Sequence, residues 1–264
     1  MASFTRRSTL LGALAAGAAP RLARAADPLQ LGSYPSNPPF EFKDDAGHFQ
    51  GFEIDLVNAV AAKLGRPVEI TDLGFQALFA ATASHRVDLA VSSITVTPAR
   101  LQNQDFTQPY LDTNLAVIAG PASRVKALED IKGATLGAIA SSTGEAWIKE
   151  NGAKYGVADS KSYDTAANMF LDTANGRVDG SVNDLAGSLY AFRSMKGMRV
   201  VANISGTNSI GIMLPKNSPM TASVNEVLDR LKSDGTVARL YTKWFGVEPP
   251  ADSSTVKVLP LPRA

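Results

Sequence analysis

The 264-residue chain contains no cysteine, which excludes disulfides and thiolate metal sites outright. Histidine is nearly as scarce. His48 and His85 lie far apart among loop-forming residues and read as solvated surface groups, not as metal ligands or catalytic bases. Neither sign of charge is in excess, with 26 Lys and Arg against 25 Asp and Glu. Such a balance gives no electrostatic case for binding nucleic acid or a membrane surface. Long apolar runs are missing too, because no segment reaches the roughly 20 apolar residues of a membrane-spanning helix.

What is present begins with a leader. Arg6-Arg7 precedes the apolar run Leu10 to Ala19, and small residues close the segment as Ala23-Arg24-Ala25. A charged start, a short apolar core and an A-x-A step read as a cleavable secretory signal over 1–25. Thr5-Arg6-Arg7-Ser8-Thr9-Leu10-Leu11 also resembles the twin-arginine export motif, with Thr9 where that motif usually has Phe. An ordinary secretory signal with two arginines is the plainer alternative. Cleavage after Ala25 leaves 239 residues with 22 basic and 25 acidic groups, a net charge of −3. The expected location is the periplasm.

The mature chain alternates strand and helix signals. Leu29-Gln30-Leu31-Gly32 suggests a short strand running into a proline-rich loop. Ile54, Val57, Val60 and Leu64 then recur at helical spacing, with Gly65 and Pro67 as the stop. Val68-Glu69-Ile70 follows as a strand, giving the β-α-β order of helices packed on a mainly parallel sheet.

An internal echo carries more information. Ala77 to Ile94 (ALFAATASHRVDLAVSSI) and Asn168 to Leu185 (NMFLDTANGRVDGSVNDL) match without gaps at seven of eighteen positions, including the step Arg86-Val87-Asp88 and Arg177-Val178-Asp179. Each copy reads as helix, tight turn and buried strand, so two lobes of similar build are expected. Ligands of such sheets sit beyond the carboxyl ends of the strands. Five residues past each shared Asp, at that end, stand Ser93 and Asp184, which would face a common cleft. Leu115–Ala119 reads as a strand that carries the chain across, and Ile210-Gly211-Ile212-Met213-Leu214 as a second apolar strand on the return. The two crossings imply a hinge. The resulting division is 26–115 for the first lobe, 116–207 for the second, 208–247 for a return to the first, and 248–264 for a poorly ordered tail. Trp147, Trp244 and the apolar helix positions read as core.

Several segments resemble the periplasmic solute-binding proteins for polar amino acids, of the histidine/lysine/glutamine-binding type. They are PPFEFKDDAGHFQGFEIDLVNAVAAKLG, HRVDLAVSSITVTPARLQNQDFTQPY, LGAIASSTGEAW, GRVDGSVND and LKSDGTVARLYTKWFG. The resemblance implies an α/β clamshell, each lobe a mixed and mostly parallel sheet flanked by helices. It implies a monomer that hands an amino acid to the membrane permease of an ABC importer, with no cofactor, no metal and no catalytic residue.

The chemistry of a free amino acid fits the matching positions. Its carboxylate and ammonium each need a buried partner of opposite charge. Arg100 is the natural carboxylate clamp, since guanidinium donates two parallel hydrogen bonds. The resemblance adds Thr95 and, from a loop that opens a helix, Thr143 with Ser142. The ammonium is expected between Ser93 and Asp184. The side-chain pocket is expected from Tyr34, Asn37, Phe75 and Ser92. Binders of basic amino acids carry an acid where this chain has Tyr34, which points to a neutral ligand recognised partly through Asn37. Taken singly, the same residue types are more often surface salt-bridge partners, helix caps or solvated loop residues.

Two alternatives share the fold. Cyclohexadienyl dehydratases place a proton-donating glutamate three residues after the cleft aspartate, where this chain has Gly187. A ligand-presenting partner of a chemoreceptor is the other.

Overall fold

The computed structural model describes residues 26–204 and 208–263; the leader expected over 1–25 lies outside the described residues. The chain opens with β1 (Leu29–Ser33) and three short strands, β2 (Ser36–Asn37), β3 (Glu41–Lys43) and β4 (Phe49–Gln50). Next come α1 (Phe52–Leu64), β5 (Val68–Asp72), α2 (Phe75–Ala83), β6 (Leu89–Val91), α3 (Pro98–Leu101) and β7 (Gln104–Phe106). The middle of the chain supplies β8 (Leu111–Thr113), β9 (Leu115–Ala119), β10 (Thr135–Ile139), α4 (Thr143–Tyr155), β11 (Asp159–Tyr163), α5 (Ala166–Ala174), β12 (Gly180–Asp184), α6 (Leu185–Ala191) and β13 (Arg199–Asn203). It ends with β14 (Asn208–Ile210), β15 (Met213–Pro215), α7 (Thr221–Ser233) and α8 (Thr236–Phe245).

Two five-stranded sheets result, in the orders β5-β1-β6-β15-β7 and β11-β10-β12-β9-β13. Their plans match. In each, three parallel strands continue into an antiparallel one, β15 beside β6 or β9 beside β12. In the first sheet that antiparallel strand comes from the return segment after the second crossing, and in the second sheet it is the strand that follows the first crossing. The crossings themselves are β8 and β14, which pair antiparallel from Leu111↔Ile210 to Thr113↔Asn208. Leu115–Ala119 is therefore not the crossing strand; it lies wholly in the second sheet, and the chain crosses on the strand before it. Its five consecutive buried residues suit a strand covered on both faces.

The helical spacing read in α1 places Ile54, Val57, Val60 and Ala61 in the core, and Gly65 ends the helix in the left-handed conformation. His48 and His85 are exposed, and Trp147 and Trp244 are half-buried against core clusters.

The echoed R-V-D step has a structural purpose. Asp88 Oδ2 accepts from the Gln30 amide at 3.0 Å, and Asp179 Oδ2 accepts from the Thr135 amide at 2.8 Å. Each aspartate thus ties the start of the third parallel strand of its sheet to the first. Arg66 and Arg124 pair with them at 3.2 and 3.6 Å.

The tail corrects an expectation. The Ser254 amide and hydroxyl both donate to the Asp112 carboxylate at 2.7 Å, and Ser254 and Thr255 are buried. Lys232, itself buried, donates to the Lys257 carbonyl at 2.9 Å, and the Leu259 amide donates to Gln108 Oε1 at 2.8 Å. Buried polar side chains here recruit the tail as their hydrogen-bond partner, so it packs down instead of lying loose. Among the described residues no helix is long and apolar enough to cross a membrane.

Candidate functional site

The carboxyl ends of the parallel strands in both sheets converge on one cavity of about 50 Å3. It is lined by Tyr34, Asn37, Phe75, Ser92, Ser93, Thr95 and Arg100 from the first lobe, and by Ile139, Ser142, Thr143 and Asp184 from the second. All ten residues singled out in the sequence meet there, and Ile139 joins them. Phe75 and Ile139 also border a neighbouring, larger cavity of about 400 Å3, lined further by Gln76, Ala80, Tyr163 and Asp164.

Arg100 sits in the one turn of α3, which Thr97 caps by accepting from the Arg100 amide at 3.2 Å. Its guanidinium donates to the Thr95 carbonyl at 2.8 Å and, across the cleft, to the Ser141 carbonyl at 3.1 Å. The Phe79 ring lies 4.9 Å from the guanidinium carbon. Burial pulls its pKa down to about 10, and among the described residues no carboxylate forms an ion pair with it. A half-buried cation met by carbonyls and rings has the chemistry to take up an anion.

Opposite stands the start of α4. The Ser142 hydroxyl accepts from the Glu145 amide at 3.1 Å and caps the helix. A helix leaves its first amides without internal acceptors, so the Thr143 end of α4 presents donors and positive potential to the cavity. Ser141 holds a left-handed φ of 63°, and its amide donates to Glu145 Oε2 at 3.0 Å. That fixed turn is what aims its carbonyl at Arg100.

Asp184 ends β12 and caps α6, accepting from the Gly187 amide at 2.8 Å. Helix cap and cavity wall are therefore the same residue. Burial, and after it the charge of Glu53, push its pKa up to about 6, against the Gly187 bond that lowers it. Gly187 is pressed close: a Cβ there would lie 3.2 and 3.3 Å from the Asp184 oxygens and 3.3 Å from the Phe40 ring.

Other hydroxyls are committed elsewhere. Tyr34 Oη accepts from the Ala166 amide at the start of α5, at 2.9 Å, again across the lobes. Burial drives its pKa up to about 12, so it stays a neutral phenol. Ser92 donates to Glu41 Oε1 at 2.7 Å, beneath the cavity floor. Asn37 Nδ2 donates to Ser93 Oγ at 2.9 Å. Sequence reasoning missed the layer below, where Glu41, Glu53 and Tyr110 are fully buried and connected. Acids set inside apolar motifs were the one signal for them.

A family model described as bacterial extracellular solute-binding proteins, family 3, matches residues 29–247. The chain is 26% identical over 224 residues to the L-cystine-binding protein TcyJ of Escherichia coli (strain K12), covering 83% of each. It is 33% identical to an ancestral arginine-binding protein bound to arginine, with a TM-score of 0.79 over 84% of this chain and 100% of that one. It is 28% identical to the ancestral amino acid-binding protein AncCDT-1, a precursor of cyclohexadienyl dehydratase, with a TM-score of 0.75 over 82% and 95%.

Proposed function

The chain belongs to the bacterial extracellular solute-binding proteins, family 3, and from that premise we propose that its cleft captures a free, neutral L-amino acid for the permease of an ABC importer. The observation that carries this reading is a cation on one cavity wall and a carboxyl on the other, Arg100 and Asp184, neither in an ion pair among the described residues. Arg100 meets the α-carboxylate, assisted by Thr95 and by the Ser142-Thr143 end of α4. Asp184 and Ser93 meet the α-ammonium. The two groups come from different lobes, so only the closed molecule makes every contact, and ligand stabilises that state.

Neutrality of the ligand follows from what surrounds its side chain. Tyr34, Asn37, Phe75 and Ile139 line that part of the cavity, and none is acidic. A cationic side chain placed among them would be desolvated without a counter-charge. Relatives named for arginine make this the sharpest test of the reading. Calorimetry against the proteinogenic amino acids should give tight binding of a neutral one, and tight arginine or lysine binding with weak neutral binding would overturn it. Mass spectrometry of whatever is released on denaturing the purified protein identifies the ligand directly.

The reading is non-enzymatic, because Gly187 stands where dehydration would need a proton donor. An assay for phenylpyruvate release from prephenate checks it, with no turnover expected. Export as a monomer to the periplasm, by the twin-arginine route, completes the proposal; blocking that route should leave the precursor uncleaved. Uptake that depends on a permease separates transport from service to a receptor.

A further inference from the structure

Among the described residues, Glu53 is a buried carboxylate held by hydrogen bonds without a paired cation. It is completely buried in the first turn of α1, and among the described residues no lysine, arginine or histidine forms an ion pair with it. Lys243, on the helix packed against α1, is engaged by Asp55 at 2.7 Å instead. An ionised carboxylate away from water and cations is costly unless hydrogen bonds hold it and something later uses its charge.

The hydrogen bonds are there. Both Glu53 oxygens accept from the Ser93 amide, at 2.9 and 3.0 Å, and the Tyr110 hydroxyl donates to Oε1. Glu41 lies alongside because Gly51, at φ 132°, lets the chain press against the Phe40 backbone, where a Cβ would come within 2.2 Å of the Phe40 carbonyl oxygen. The Glu53 amide then donates to that same carbonyl at 2.9 Å. Glu41 Oε1 accepts from Ser92, while Oε2 has no donor. An orphaned buried oxygen beside a carboxylate is where a proton belongs. Burial, then the neighbouring Glu53 charge, raise Glu41 well above the usual range. Burial raises Glu53 as well, but the donors of Glu41, Tyr110 and Ser93 hold it down, so Glu41 is the neutral member of the pair and Glu53 the one that ionises first.

One peptide separates that charge from the cavity. Ser93, which takes φ 42°, lines the site beside Asp184. A left-handed serine persists only where its surroundings dictate it, and the Glu53 carboxylate grips its amide. We propose that Glu53 is a positioning residue for the ligand's ammonium group: it fixes the Ser93 turn against the cleft and adds a second, buried negative charge behind Asp184. The inference rests on the amino-acid reading above. The titratable groups facing Glu53 are Glu41 from β3 and Tyr110 from the segment before β8. Asp184 and Arg100 line the cavity with Ser93, on the other side of its peptide. Glu53's charge already acts on Asp184, being one cause of its raised pKa; the same field favours a cation placed between them.

The test compares two isosteric variants, using the proteinogenic amino acid that the wild type binds most tightly as the probe. Glu53→Gln keeps the shape and removes the charge; Glu41→Gln replaces a group that is already neutral. Calorimetry between about pH 5 and pH 8 should show Glu53→Gln binding about tenfold or more weakly at neutral pH. Its acid-side loss of affinity should move to lower pH, because Asp184 no longer feels the second charge. Glu41→Gln should retain both the affinity and the pH midpoint. An unmoved midpoint in a folded Glu53→Gln overturns the proposal, and so does a shifted one in Glu41→Gln, which also decides the matter if Glu53→Gln does not fold. A wild type that binds no amino acid at all overturns the amino-acid reading itself.

Discussion

The Arg100 guanidinium reaches across the cleft to the Ser141 carbonyl, 3.1 Å away, so one side chain of the first lobe touches the backbone of the second. Both of its protein acceptors are neutral carbonyls. On the proposed reading its charge meets the ligand's carboxylate. Arg100→Ala should weaken amino-acid binding by about 2–5 kcal/mol, the scale for deleting one partner of a buried charge pair. The melting temperature without ligand should stay nearly unchanged, since only neutral hydrogen bonds are lost. Calorimetry and thermal melts in parallel check this, and a variant that unfolds would make Arg100 a structural residue.

Asp184 gives the binding a pH limit. With its pKa raised to about 6, the carboxylate is ionised above that pH and can pair with an ammonium. Below it the group is neutral, so affinity should fall as pH drops through about 6 and be flat above. The same shift acts oppositely on the ligand-free protein. A carboxyl whose folded pKa exceeds its ordinary value of 3.8 stabilises the fold at acid pH, and that contribution is lost as pH rises through about 6. Asp184→Asn should abolish both dependences and weaken binding. Titration calorimetry against pH, with melts of the ligand-free protein, reads the two effects separately.

The Tyr34 hydroxyl takes its hydrogen bond from the other lobe, so opening the cleft should break it. Tyr34→Phe removes the acceptor of the Ala166 amide and leaves that amide buried and unpaired in the closed molecule, whereas water satisfies it when the cleft opens. Binding should weaken by about 5–10-fold, equivalent to about 1 kcal/mol. Scattering profiles should show the closed form less fully populated at a given ligand concentration. Equal affinity in the two proteins would mean that this bond has no part in closure.

The tail beyond Val247 should matter to stability. Deleting 248–264 strips Asp112 of two donors and Lys232 of one acceptor, and exposes a buried ammonium. The loss should be at least about 2 kcal/mol in urea denaturation. An unchanged midpoint would return the segment to the loose tail expected from its composition.

The sequence foretold the elements that obey simple periodicity and missed those set by long-range pairing. Helix α1 was legible because its apolar spacing, Gly65 and Pro67 all agree. The repeated R-V-D step was legible as an echo, but its reason was not: Asp88 and Asp179 each seize an amide on a strand more than 40 residues earlier. Leu115–Ala119 was misplaced since a run of five apolar residues looks the same in a crossing strand and in a sheet interior. The tail was misjudged because the groups that anchor it, Asp112, Gln108 and Lys232, lie at a distance in sequence. Among the site residues, Arg100, Thr143 and Asp184 were marked by family motifs. Glu53 sits in an equally distinctive motif, yet nothing local distinguishes a carboxylate turned inward against Ser93 from one turned to solvent.

Gly187 bears on how such a fold changes occupation over generations. With both Asp184 oxygens and the Phe40 ring 3.2–3.3 Å from any Cβ at that position, a side chain added there crowds side chains that must yield by a few tenths of an ångström. A lineage that placed an acid at Gly187 would therefore gain from a permissive change around Phe40 that opens the few tenths of an ångström it needs.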